Sequence, residues 1–158
     1  MNTLKIFSIA LLSSVTLGFS QDVNQARKAV DAEQYEKAKS ILKTIIKTNP
    51  IDGRANFILG NVYLIQTVTD SAKISFQRGL AGTEGSRLNY IGLGTIDLDN
   101  GNVTAAEANF ALALKDAKKK DIEELTAIGR AYTYSNKPNY KKAIEYLNKA
   151  KLINPNDA

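Results

Sequence analysis

The sequence contains no cysteine, no histidine and no tryptophan. Without cysteine and histidine, the chain can form neither disulfide bonds nor thiolate or imidazole metal sites, and it cannot assemble a Ser-His or Cys-His catalytic pair. These absences disfavour most classes of enzyme before any motif is considered. We therefore expect a protein that is not an enzyme and that binds neither a cofactor nor a metal ion.

The charge of the chain does not indicate a nucleic-acid partner. The 158 residues include 21 Lys and Arg against 16 Asp and Glu, which gives a net charge of +5. The densest basic run, the three lysines at 118–120, lies between acidic residues and contains no aromatic side chain. We therefore interpret it as a solvated connector. Because 44% of the residues are apolar, a chain of this length can bury a core and form one domain.

Residues 1–20 have the layout of a secretory signal peptide. Lys5 precedes an apolar run at 6–12, and the small residues Gly18 and Ser20 come shortly before Gln21. This layout predicts cleavage before Gln21 and export, either to the periplasm or out of the cell. The apolar stretch is shorter than the ~20 residues that cross a bilayer, so we expect no transmembrane span after the signal is removed. An uncleaved anchor or a first core helix is the alternative.

Distinctive residues recur at a fixed spacing over almost the whole chain after residue 20. The pairs that match 34 positions apart are Leu59-Gly60 with Leu93-Gly94, Ala72 with Ala106, Phe76 with Phe110 and Leu80 with Leu114. The two ends of the chain match each other 105 positions apart, as Tyr35 with Tyr140, Ala38 with Ala143, and Asn49-Pro50 with Asn154-Pro155. That separation corresponds to three successive units, of which the last is slightly longer. The sequence therefore predicts four repeats.

Each repeat has the pattern of two helices that pack closely. Ala72 and Phe76 lie four positions apart, which places them on one face of a helix. Glycine recurs on one stripe of the preceding helix, at Gly60, Gly94 and Gly129. A glycine within a helix costs about 1 kcal/mol relative to alanine, so its recurrence indicates that a neighbouring helix approaches closely there.

These residues resemble the tetratricopeptide repeat, and the resemblance is strongest in the second and third units. It implies an all-α fold, a right-handed α-solenoid of helix-turn-helix units at about 21–52, 53–86, 87–121 and 122–158. The first unit has Gln25-Ala26 in place of the Leu-Gly pair. The fourth unit carries extra residues at 134–139, which predict a longer turn between its helices.

The resemblance also implies a function. The first helices of such arrays line a concave groove that holds a peptide or a helix of a protein partner, so we expect a non-enzymatic interaction scaffold. The groove residues that the resemblance indicates are Arg27, Arg54, Phe57, Asn61, Ile65, Ile91, Thr95, Thr126, Arg130 and Tyr134. For Phe57, Ile65 and Ile91, packing between helices is an equally good explanation. The alternative function is a structural adaptor in a cell-envelope complex that acts through its terminal helices.

The apolar residues of the last predicted helix indicate a second contact surface. Ile144, Leu147 and Leu152 cannot all face the preceding unit, and a repeat array needs a polar outer face on its terminal unit. We therefore expect either that the array continues beyond Ala158 or that this end pairs with another chain, which includes self-association.

Overall fold

The described part of the chain consists of eight α-helices and the turns between them. The computed structural model describes the backbone of residues 13–115 and 121–153, and side chains from Asp22 onward within those ranges. The helices are α1 (Ser13–Asp31), α2 (Tyr35–Thr48), α3 (Gly53–Ile65), α4 (Thr69–Gly79), α5 (Ser86–Asp99), α6 (Val103–Leu114), α7 (Ile122–Tyr134) and α8 (Tyr140–Ile153). No strand occurs within these ranges, so the prediction of an all-α fold is confirmed.

The helices form four pairs that stack in chain order. Within each pair the two helices pack against each other along their length, and each first helix also packs against the first helix of the next pair. The second helices α2, α4 and α6 each contact the first helix that follows them. This nearest-neighbour stacking defines a helical solenoid, which is the architecture that the resemblance implied.

The turns inside the first three pairs share one backbone geometry. Each turn is three residues long, and its middle residue is left-handed, with φ of 57° at Glu33, 60° at Thr67 and 79° at Gly101. The next amide donates a 2.8 Å hydrogen bond to a carbonyl five residues earlier in every case, from Gln34 to Ala29, from Val68 to Tyr63 and from Asn102 to Asp97. This Schellman arrangement satisfies carbonyl groups that the end of a helix would leave unpaired.

The fourth pair has the longer turn that its extra residues predicted. Residues 135–139 separate α7 from α8, and none of them has a positive φ. The backbone N–H of Asn136 donates a 2.9 Å hydrogen bond to Oδ1 of Asp99, at the end of α5. The longer turn is therefore tied to the preceding unit as well as to its own helices.

The recurring glycines make room for the rings of phenylalanines. Phe76 on α4 is fully buried, and a side chain at Gly60 on α3 or at Gly92 on α5 would overlap its ring. In the next unit, a Cβ atom on Gly94 would lie 2.5 Å from Cε1 of Phe110. The expectation that these glycines serve helix packing is confirmed.

Some sequence features fall outside the described residues. These are residues 1–12 of the expected signal peptide, the lysine run 118–120 and the final Asn154-Pro155 pair. Helix α1 runs through Gln21, so the expected cleavage position lies within a helix of the uncleaved chain. Within residues 13–115 and 121–153, no helix combines the length and the apolar character that a membrane span requires.

Candidate functional site

The first helices of the four pairs enclose a cavity with a volume of about 780 Å³. Helices α1, α3, α5 and α7 all contribute to its wall, together with the turn after α7. The lining residues are Arg27, Val30, Asp31, Phe57, Ile58, Asn61, Leu64, Ile65, Ile91, Thr95, Asp99, Glu123, Thr126, Ala127, Arg130, Ala131, Tyr134 and Asn136. We refer to this surface as the groove.

Nine of the ten residues expected from the sequence line the groove. The exception is Arg54, which lies outside the lining, although its guanidinium group reaches the lining residue Glu123. Nine of the residues that the resemblance to the tetratricopeptide repeat indicated therefore lie on one shared surface. Whether these residues contact a partner stays a prediction.

The floor of the groove is apolar, and its members differ in how much surface they offer. Ile91 is only 2% exposed and belongs to the core, and Phe57 packs against the ring of Phe76 with a centroid distance of 6.1 Å. Ile65 and Tyr134 are exposed, at 53% and 81%, at the carboxyl ends of α3 and α7. Packing between helices thus accounts for the apolar side chains of Ile91 and Phe57. It does not account for Ile65, which is largely exposed.

The polar side chains of the groove include charges of both signs. Arg130 and Asp31 are exposed, and neither forms an ion pair with any residue in the described ranges. Asp99 accepts the hydrogen bond from Asn136, and the hydroxyl of Thr95 donates to the carbonyl of Ile91 at 2.9 Å. Arg130 is therefore a cation beside the apolar floor that remains available to an incoming group.

Glu123 is the centre of an ionic cluster at the edge of the groove. Arg54 donates two hydrogen bonds to its carboxylate, at 3.0 and 2.8 Å, and Arg27 donates a third at 3.2 Å. The Nε atom of Arg54 also lies 3.5 Å from a carboxylate oxygen of Glu84. Burial alone would lower the pKa of Arg54, but the hydrogen bonds and negative charges of Glu123 and Glu84 together outweigh that effect, so the pKa is raised.

The sequence reasoning did not identify Glu123, Asp31 or Asp99 as groove residues. For Glu123 a signal was present, because it stands 69 positions after Arg54, close to two repeat lengths. Arg54 and Glu123 therefore occupy equivalent positions in the second and fourth units, although only Glu123 lines the groove. Asp31 and Asp99 are the last residues of α1 and α5. The helical periodicity ends there, so it does not indicate which way their side chains face.

The groove combines an apolar floor with a few polar side chains. Among the described residues, no group of three or more acidic side chains is placed to hold a metal ion. The groove instead presents an extended apolar floor with isolated polar groups around it, which is the usual composition of a binding surface.

Comparison with known proteins agrees with the repeat pattern. Residues 127–157 match the family model for the tetratricopeptide repeat, and the same helix pair recurs in the three preceding units. The fourth helix pair is therefore similar to a tetratricopeptide repeat. The family match falls on the fourth unit, although the repeat residues agree best in the second and third.

A solved structure resembles this chain over most of its length. The crystal structure of MamA superposes with a TM-score of 0.55 and 19% sequence identity, covering 93% of this chain and 84% of the MamA chain. An identity this low supports the fold alone. No curated protein matches the sequence.

Proposed function

We propose that this protein is a non-enzymatic scaffold whose groove binds a short amphipathic segment of a partner protein. The observation that carries the proposal is the groove floor, which all four first helices build and which leaves Ile65 and Tyr134 exposed at one end. An α-helix rises 1.5 Å per residue with an overall diameter of about 10 Å. The cavity of about 780 Å³ is thus comparable in volume to roughly two turns of helix.

One charged side chain of the groove, Arg130, predicts a further feature of the partner segment. Arg130 lies beside the floor without an ion pair among the described residues. A partner segment with an acidic side chain next to its apolar face would pair with this guanidinium group. We therefore expect bound segments to combine apolar residues with at least one Asp or Glu.

Reversing the charge of Arg130 tests the groove. Peptides that bind the protein are first selected from a displayed random library, and their affinities are then measured for Arg130→Glu by calorimetry. We expect affinity to fall about tenfold or more, since a partner carboxylate would face a carboxylate. The matched control is Arg78→Glu, at an exposed position on α4 outside the groove, which should bind as the unmodified protein does. Equal losses for the two variants would contradict groove binding.

An adaptor that acts through its last helix is the second candidate function. On α8, Tyr140, Ile144 and Leu152 are exposed, at 64%, 58% and 83%. Leu147 lies against Gly129 on α7 and is still 39% exposed. Exposed apolar residues on one helix are typical of a surface that another chain covers. If the selected peptides lose affinity for Ile144→Asp but keep it for Arg130→Glu, the adaptor function is favoured over the groove.

We further propose that the mature protein begins at Gln21 and acts outside the cytoplasm, in the periplasm or after secretion. The support is the order of Lys5, the apolar run and the small residues Gly18 and Ser20 in the sequence. When the full-length chain is expressed in a bacterial host, amino-terminal sequencing of protein from the periplasm or medium should start at Gln21. A soluble cytoplasmic product that starts at Met1 would contradict export.

A further inference from the structure

The cluster of Arg27, Glu123 and Arg54 joins parts of the chain that are far apart in sequence. Glu123 stands at the start of α7, in the fourth unit, whereas Arg27 is on α1 and Arg54 is on α3. The bonded residues are 96 and 69 positions apart. All three side chains are less than half exposed, so water competes only in part for their hydrogen bonds. The cluster therefore links the fourth unit directly to the first and second.

Backbone packing does not make the same link. Helix α7 packs on α5, its neighbour in the stack, but no Cα atom of α7 lies within 8 Å of a Cα atom of α1 or α3. Within residues 22–115 and 121–153, where side chains are described, no hydrogen bond or ion pair outside this cluster connects α7 to either helix. Side chains at the edge of the groove thus bridge a gap that the helices themselves leave open.

We propose that Glu123 is the centre of an ionic latch that sets how far the groove opens. Each unit of a solenoid contacts only its neighbours, so small rotations between successive units add up along the array. A link that skips the third unit opposes this accumulated motion. When the latch is formed, it draws the fourth unit towards the first two and narrows the groove; when it is broken, the array relaxes and the groove widens.

The hydrogen bonds of the cluster are strong enough to hold the fourth unit near the first two and weak enough to break when salt screens the charges. A two-point hydrogen bond between arginine and a carboxylate is among the stronger polar contacts in proteins, and Arg54 makes such a contact with Glu123. Because the side chains are partly exposed, dissolved salt can screen the attraction. The screening length falls from about 30 Å at 0.01 M salt to about 3 Å at 1 M.

The distance between the two ends of the array tests the latch without any partner, so its outcome is independent of the proposed function. The chain has no cysteine, so spin labels can be placed at Lys47→Cys on α2 and Asn148→Cys on α8, two exposed positions outside the groove. At low salt, Glu123→Gln should give a longer and broader distance distribution than the unmodified latch. Helicity measured by circular dichroism should stay the same.

A matched variant separates the latch from a general loss of one charge. Glu36→Gln removes a carboxylate whose ion pair with Lys39 lies within α2, and we expect it to leave the distance unchanged. A distance that responds equally to both variants, or to neither, overturns the proposal.

Salt provides a test that needs no substitution in the cluster. Raising the salt concentration from about 0.01 M to about 1 M should lengthen the distance in the protein with Glu123 intact until it approaches that of Glu123→Gln. The variant itself should respond little to salt. If Glu123→Gln does not fold, this titration alone decides, and a distance that ignores salt overturns the proposal.

Discussion

Replacing Gly94 with leucine should lower the free energy of unfolding by about 3 kcal/mol or more, because overpacking a closely fitted contact is among the costly substitutions. A Cβ atom at this position would meet Cε1 of Phe110 at 2.5 Å and the carbonyl oxygen of Ala106 at 3.1 Å. The phenyl ring is buried and the carbonyl belongs to α6, so neither can move aside easily. Thermal unfolding followed by circular dichroism should show a midpoint roughly 10 °C lower.

The control for this change is Asn102→Leu, which introduces the same side chain eight positions later. Asn102 precedes α6, is exposed, and its side chain makes no capping hydrogen bond. The expected loss is therefore within about 1 kcal/mol. If the two leucine variants melted at the same temperature, the close contact between α5 and α6 could not be a main determinant of stability.

Removing the ring of Phe76 should destabilise the protein by about 3–5 kcal/mol, the usual cost of truncating a buried phenylalanine to alanine. The ring fills the space that Gly60 and Gly92 leave open on two different helices. Its loss would leave a cavity between the second and third units that small neighbouring residues cannot fill. Urea denaturation should show the loss as a lower midpoint.

Tyr134→Ala is the matched deletion of an exposed aromatic side chain. Tyr134 is 81% exposed, so its removal should change the free energy of unfolding by less than about 0.5 kcal/mol. A cost for Phe76→Ala no larger than that for Tyr134→Ala would show that the contact between Phe76 and the two glycines contributes little.

Repeat spacing predicted the helix pairs, and the resemblance to the tetratricopeptide repeat indicated which face of each first helix lines the groove. A residue such as Gly60 or Phe76 recurs where neighbouring helices touch, and that contact is the same in every unit. Ile91 shows the limit of this reasoning. It lines the groove as expected, yet it is almost fully buried, since a residue on the floor of a groove can also belong to the core beneath it.

The spacing could indicate that Arg54 and Glu123 occupy equivalent positions in their units, but it could not predict that their side chains form an ion pair. Which side chain Arg54 meets depends on the small rotations that accumulate across the second, third and fourth units, and the repeat length does not specify them. The same residue, placed in the groove by its position in the repeat, lies outside the lining because its side chain extends along the edge to Glu123. Local periodicity determines the face of a helix, whereas contacts between distant units depend on the whole array.

The shared turn geometry allows the sequence of the first three turns to change while the helix pairs keep their arrangement. Glu33, Thr67 and Gly101 occupy the same left-handed position, although such a backbone conformation is unfavourable for the first two. The packing of the two helices of a unit therefore determines the turn conformation. The middle residue adopts a left-handed backbone conformation even where its own preference is against it. A duplicated or exchanged unit of this kind would bring its own hairpin geometry with it, largely independent of the identity of the turn residue. The fourth unit, whose turn is longer and bonded to Asp99, could not be moved elsewhere in the array without losing that attachment.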